Sequence, residues 1–336
     1  MSILEYFNQT FKNGAKVYSF FSQVNEMTSL FNEKDIEKTL WKGQRSDKSW
    51  SFKDECIKKI FGITSPFFEK HYNQVINGKG NEKAKINKLH SSSLAALMCF
   101  YKVSKEQPLN IRINDINFEF TEVKFEHENK VFEDKDRGKS SIDVALYGTA
   151  THNGETNKAV LYLESKFSEY LKRTKCSNIS KLYRTHYDRI FTFAESNKEC
   201  IDASYGENYI NKDGQEVFDL KSNSRSRPHY CKGLKQMISH YIGACNSDDL
   251  QKGYEVYLGS VVFDFTASGI QDTSAFNGIL KDYQAEYRKL CNALNKYEIN
   301  GSRVKVLPTI LTYQQIFKDP CLIDIDPKVS KYYNFR

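Results

Sequence analysis

Residues 142–166 read IDVALYGTATHNGETNKAVLYLESK, and the way this stretch pairs with itself decides the fold. Asn153-Gly154 is a strong hairpin signal. Both central residues of a type I′ turn need positive φ, which Asn and Gly adopt at least cost. With those two at the turn, His152 opposes Glu155, Leu146 opposes Leu161, and Val144 opposes Leu163. One step further, Asp143 opposes Glu164. Directly opposed side chains share a face, with Cβ atoms about 4.5–5.5 Å apart. The four aliphatic residues gather on the other face, where they can pack against a helix. Val160 and Tyr162 alternate with Leu161 and Leu163, so both faces of the second strand are apolar, as in a buried central strand. Lys166 lies two residues beyond Glu164 and points the same way.

Two carboxylates and a lysine on an apolar sheet need neutralisation, because buried like charges repel. A divalent cation supplies it. Mg²⁺ takes hard oxygen ligands, such as two carboxylates and a backbone carbonyl. That arrangement suits phosphodiester hydrolysis, with Lys166 positioning or polarising the attacking water. The plainer alternative is a surface hairpin carrying an ordinary Glu–Lys pair. A carboxylate pair about 5 Å apart also suits a retaining glycosidase. However, Trp41 and Trp50 are the chain's only tryptophans, both far from the pair in sequence, and a sugar site has no need of the lysine.

Working outward, residues 1 to about 110 read as mostly helical, from apolar spacing at Leu30-Phe31, Ile36, Leu40 and at Ile57, Ile60-Phe61. Leu89–Tyr101 reads as a buried helix. Residues 116–126 alternate as a strand, and 168–200 read as helical, followed by a polar loop over 201–228. A helix is expected over 230–245, a strand over 254–265, a long amphipathic helix over 278–297, and a last strand over 304–311 before a short helix at 313–317. The expected class is α/β, a mixed core with a helical N-terminal elaboration. The expected divisions are a helical N-terminal region at 1–84, a core at 85–320 and a tail at 321–336.

The chain has 336 residues, a formal net charge of +7 and 14% aromatic residues, enough for a sizeable core. Its longest clean apolar run, Leu94–Tyr101, falls well short of the about twenty residues of a membrane span. The N-terminus lacks the basic and apolar regions of a secretory signal, and the eight cysteines form no C-x-x-C pair. Both point to a reduced, cytoplasmic setting. No P-loop and no G-x-S-x-G elbow is present. Lys172, Arg173, Lys175, Lys181, Arg184 and Arg189, interleaved with Tyr170, Tyr183 and Tyr187, form a stripe suited to phosphate contact and base stacking. Arg225 and Arg227 could add backbone contacts.

Asp143, followed after about twenty residues by Glu164-Ser165-Lys166 at the end of an apolar strand, resembles the PD-(D/E)XK nuclease superfamily, the restriction endonuclease-like fold. Within it the chain looks most like a bacterial group of restriction endonuclease-like proteins. Also similar are His90-Ser91-Ser92 on the leading helix, Phe125-Glu126 before the Asp strand, and a later helix with Gln236. The resemblance implies that the core is a mixed four- or five-stranded sheet flanked by helices, that Asp143, Glu164 and the Ser165 carbonyl hold Mg²⁺, with Mn²⁺ as a substitute, and that Lys166 is the catalytic lysine. It implies DNA as substrate and an endonuclease of restriction or defence type, with a catalytically inactive nucleic-acid-binding module as the alternative. The N-terminal helices would help bind DNA or form a homodimer interface. The sequence departs from the pattern in three places. Ile142 stands where the motif has proline. The leading helix has no acid, for which Glu126 or Glu82 could substitute. Gln236 and Tyr241 are spaced one residue wider than the Q-x-x-x-Y of exonuclease-like members.

Overall fold

The computed structural model describes residues 40–42, 50–52, 57–78, 83, 85–88, 91–132, 138–167, 169–171, 176–198, 201, 203–222, 231–264, 274–299, 301, 304–317 and 325–333. In chain order the elements are β1 (Leu40–Lys42), β2 (Trp50–Phe52), α1 (Ile57–Phe61), α2 (Phe67–Ile76), α3 (Ser92–Phe100), β3 (Leu109–Ile113), β4 (Ile116–Lys130), β5 (Lys139–His152) and β6 (Glu155–Lys166). There follow β7 (Cys176–Ser180), α4 (Arg184–Ser196), β8 (Ala203–Tyr205), β9 (Tyr209–Ile210), β10 (Glu216–Ser222), α5 (Cys231–Cys245), α6 (Asp248–Gln251) and β11 (Glu255–Val262). The chain continues through α7 (Ser274–Lys296), β12 (Lys305–Val306), β13 (Leu311–Thr312), α8 (Tyr313–Ile316) and α9 (Pro327–Tyr333).

The main sheet runs β12-β11-β6-β5-β4-β3, with β13 also paired to β11. β3 to β6 are antiparallel neighbours, and β11 returns parallel to β6. The sheet is therefore mixed and flanked by helices, as expected, but it has seven strands rather than four or five. The turn at its centre has Asn153 at φ 52° and Gly154 at φ 84°, the positive pair a type I′ turn demands. It sets the expected register: His152 faces Glu155, Leu146 faces Leu161, and Val144 faces Leu163. From Ala159 to Lys166 every residue of β6 is buried. Complete burial of a leucine side chain such as Leu161 or Leu163 contributes about 2 kcal/mol.

α3 lies against β5 and β6. Ser91 caps it by accepting from the Leu94 N–H at 3.1 Å, and every residue after Ser92 is buried. A helix apolar all round belongs between layers. Ser165 Oγ donates to the Ser92 carbonyl at 3.0 Å, so odd-numbered residues at this end of β6 face α3. Even-numbered ones face α5. That helix sits close to the sheet because Gly243 has no side chain. A Cβ there would lie 2.9 Å from Ser140 Cβ and 3.1 Å from Asn129 Cβ.

Several expectations fail in instructive ways. Leu40 begins a strand of a small β1–β2 pair rather than ending a helix. Leu109–Ile113 is a sheet-edge strand, not part of a helical region. Among the described residues of the stretch 168–200, 169–171 and 181–196 are helical and Cys176–Ser180 is extended. With β8, β9 and β10 it forms a separate four-stranded antiparallel sheet where a loop was expected. That sheet is held by Tyr187 and Tyr205 edge-on to Phe218, contacts that local periodicity cannot announce. The expected last strand is two two-residue pieces, β12 and β13. The tail is anchored: Tyr101 donates to Asp326 at 2.5 Å and Lys102 to the same carboxylate at 2.9 Å, while Val329 and Tyr333 are buried. Residues 1–39 lie outside the described residues. Among the described residues no helix is long and apolar enough to cross a membrane.

Gly243→Val should push α5 off the sheet and cost about 2 kcal/mol by overpacking. Urea denaturation checks this, with the midpoint lowered and the slope unchanged.

Candidate functional site

The hairpin register brings Asp143 to Glu164 at the far end of β5 and β6. The ladder's last pair is Val144 with Leu163, and beyond it Asp143 turns to Ser165. The Ser165 N–H donates to Asp143 Oδ2 at 2.7 Å. On its other side the Lys166 carbonyl accepts from the Phe263 N–H at 2.9 Å. Carbonyls alternate along a strand, so that of Ser165 faces β5, the side on which Asp143 lies. Asp143, Glu164 and Ser165 are thus brought together, and Lys166 joins them.

Glu164 is 3% exposed and Lys166 7%, too buried for an ordinary surface ion pair. Lys166 Nζ donates to Glu164 Oε1. The other oxygen, Oε2, meets His240 Nε2 at 2.6 Å, and His240 Nδ1 meets Ser140 Oγ at 2.6 Å. Burial pushes the Glu164 carboxyl up, but the pull of Lys166 and then His240 outweighs it and holds the group at about 2. Burial opposes the Lys166 charge, yet Glu164, Glu169 and Asp143 together raise its pKa. Asp143 goes the other way. Burial, and then the negative charge of Glu164, push it well above the usual carboxylate range against the weaker pull of Lys166.

Three further groups surround the pair. Glu126 adds to the charge that raises Asp143. The β4–β5 pairs on either side, Phe125 with Val144 and His127 with Ile142, set it across from Asp143. Its φ of 51° is left-handed, and its carboxylate accepts from Ser141 Oγ at 2.7 Å. Such a conformation in a non-glycine residue costs about 1–3 kcal/mol and collects at functional sites. Glu169, just past β6, accepts from the Phe167 N–H and from Ser92 Oγ, each at 2.7 Å. It thereby places an acid at the start of α3, the helix whose own sequence lacks one. Gln236 lies one helical turn before His240 on α5, and its Oε1 is buried with no partner among the described residues.

His240 and Glu169 went unseen in the sequence. The available signal for His240 was its spacing of four from Gln236, one helical turn. Tyr241, which the sequence paired with Gln236, instead donates to the Tyr297 carbonyl, away from the acids. Of the described members of the basic stripe, some have partners within the fold. Lys181 pairs with Glu216, and Arg184 stacks over Tyr205 while bonding to Asp188. Tyr170 and Tyr187 are core residues, and Arg189 remains exposed. Glu82, His90, Lys172, Arg173, Lys175, Arg225 and Arg227 lie outside the described residues.

Among the described residues no group of three or more His, Cys, Asp or Glu could hold a metal ion. The set here is smaller, two opposed carboxylates and a carbonyl. Mg²⁺ accepts that number because it binds through one or two carboxylates and keeps several waters. An ionised carboxylate has about four lone-pair sites, so Lys166 and His240 leave Glu164 room for a cation. No family model, no curated protein and no solved structure matches this chain.

The two acids should have opposite effects on the metal-free protein. The folded pKa of Asp143 lies above its ordinary 3.8, so its ionisation costs stability, and the cost grows as pH rises above that value. Asp143→Asn should therefore stabilise by about 1–2 kcal/mol at pH 7. Glu164 sits below its ordinary 4.5; its contribution is present above that pH and is lost as pH falls toward about 2. Glu164→Gln should cost about 3–5 kcal/mol at pH 7 by leaving buried Lys166 uncompensated. Denaturation in EDTA at pH 5 and 7 tests both; shifts of the same sign would refute the assignment.

Proposed function

We propose that the protein is a Mg²⁺-dependent deoxyribonuclease, an endonuclease of restriction or defence type. One observation carries this reading. The β5–β6 ladder ends at Val144 and Leu163, one residue short of the acids, where Asp143 accepts from the Ser165 N–H and buried Lys166 donates to Glu164. The element order supports it. β4, β5, β6 and β11 make a four-stranded mixed core between α3 and α5, with one acid on the second strand and an acid and lysine on the third. That is the plan of the PD-(D/E)XK nucleases that the sequence resembles.

Asp143, Glu164 and the Ser165 carbonyl are the groups that would hold the ion. The unfavourable charge on Asp143 supports the fit, since a cation between the acids turns their repulsion into attraction. Mg²⁺ there would stabilise phosphoryl charge and lower the pKa of water. The chain's own groups do the rest. Lys166, held as an ammonium by Glu164, offers a fixed positive donor for a phosphate oxygen or the attacking water. Gln236 contributes an acceptor on α5 that has no partner among the described residues, suited to orienting a water or a nucleotide N–H. Glu126 holds Ser141 and adds negative charge beside Asp143.

The test is cleavage of plasmid and linear DNA with Mg²⁺ or Mn²⁺, with and without EDTA. Lys166→Ala should lower cleavage by about 10²–10³-fold, the usual loss for one preorganised charge donor. Gln236→Leu should lose activity while keeping its melting temperature, since it removes an acceptor with no partner among the described residues. Cleavage that ignores EDTA or survives Lys166→Ala would sink the reading. DNA binding without cleavage would instead favour a catalytically inactive binding module.

A further inference from the structure

His240 is buried on α5 with both ring nitrogens engaged by side chains rather than backbone. Nδ1 is tied to Ser140 on β5, three residues before Asp143. Nε2 is tied to Glu164 on β6. The imidazole thus spans the two acid-bearing strands from the helix side. With 2.6 Å contacts at both ends, the ring cannot rotate without losing a buried hydrogen bond. Glu164 is fixed in turn, one oxygen by Lys166 and the other by His240.

Packing alone does not call for this arrangement. A leucine at 240 would fill similar volume but leave Glu164 Oε2 and Ser140 Oγ, both buried, without this partner. The side chain instead links a hydroxyl to a carboxylate that has unused lone pairs. The close seat of α5 at Gly243, one turn on, brings the ring within reach.

From this geometry we infer that His240 is a positioning residue of the acid site. Held by Ser140, it sets the rotamer of Glu164 so that Asp143 and Glu164 face one divalent cation. The inference rests on the nuclease reading and adds to it a group outside the Asp143–Glu164–Lys166 set. It needs no change in protonation of the ring, only the two hydrogen bonds.

The experiment is calorimetric titration of the full chain with Mn²⁺ alone, without DNA, beside thermal melts and cleavage kinetics. The proteins are wild type, His240→Ala, His240→Gln and Ser140→Ala. Groups that orient metal ligands typically contribute 10–100-fold in affinity, so His240→Ala should weaken Mn²⁺ by that factor. His240→Gln, whose amide nitrogen can replace Nε2, should recover to within a few-fold of wild type. Ser140→Ala should fall between them. Raising Mn²⁺ should restore much of the His240→Ala cleavage rate, with the DNA KM little changed. The inference is overturned if His240→Ala binds Mn²⁺ like wild type. It is equally overturned if His240→Gln loses as much affinity as alanine while both lower the melting temperature alike, which is a packing role. In either case wild-type cleavage leaves the nuclease reading intact. Wild-type protein that neither binds Mn²⁺ nor cuts DNA overturns both.

Discussion

A two-residue turn, Asn153-Gly154, fixes which residue of β5 faces which residue of β6, and the centre of the molecule follows from that choice. A slip of one residue would send Leu161 and Leu163 to the α5 side and bring Glu164 toward α3. The register is therefore enforced twice, by the positive φ values at the turn and by the aliphatic face beneath α3. The acid pair lies at the other end of the same ladder, where regular pairing stops and Asp143 accepts from the Ser165 N–H. Regular pairing thus delivers the acids to the point where the strands part.

The charges there are unevenly matched. Glu164 has two cationic or donor partners, while Asp143 has one N–H and two negative neighbours, Glu164 and Glu126. A cluster built for stability would pair its members more evenly or replace them with aliphatic residues. Here the left-handed Glu126 and the raised Asp143 both store free energy in the metal-free fold. Stored cost of this kind is expected where a ligand is to be bound. Farther along the sheet, Asp249 accepts from Tyr147 at 2.9 Å and Tyr162 at 2.5 Å, pinning α6 to it.

The second sheet sits in the chain between the lysine-bearing strand and the Gln236–His240 helix. Its basic and aromatic residues look in sequence like a nucleic-acid stripe. In the fold Arg184 is spent on Tyr205 and Asp188, and Tyr170 and Tyr187 fill the core. A charge count along a sequence cannot tell a cation facing solvent from one closing a turn, since the difference lies in what folds back against it.

The sequence by itself determined the turn, the hairpin register, the apolar central strand and the shared face of Glu164 and Lys166. Each depends on residues close in the chain and on fixed strand periodicity, so each is written in local order. It also placed α5, β11 and the long α7 within a few residues. Only the tertiary structure decided that His240 would reach Glu164, that Glu169 would supply the acid α3 lacks, and that residues 203–222 would form a sheet rather than a loop. His240 and Glu164 are 76 positions apart, and Ser92 and Glu169 are 77. Contacts across such distances leave no periodic trace. They exist because the parallel return of β11 and the close seat of α5 at Gly243 bring distant segments onto one end of one sheet.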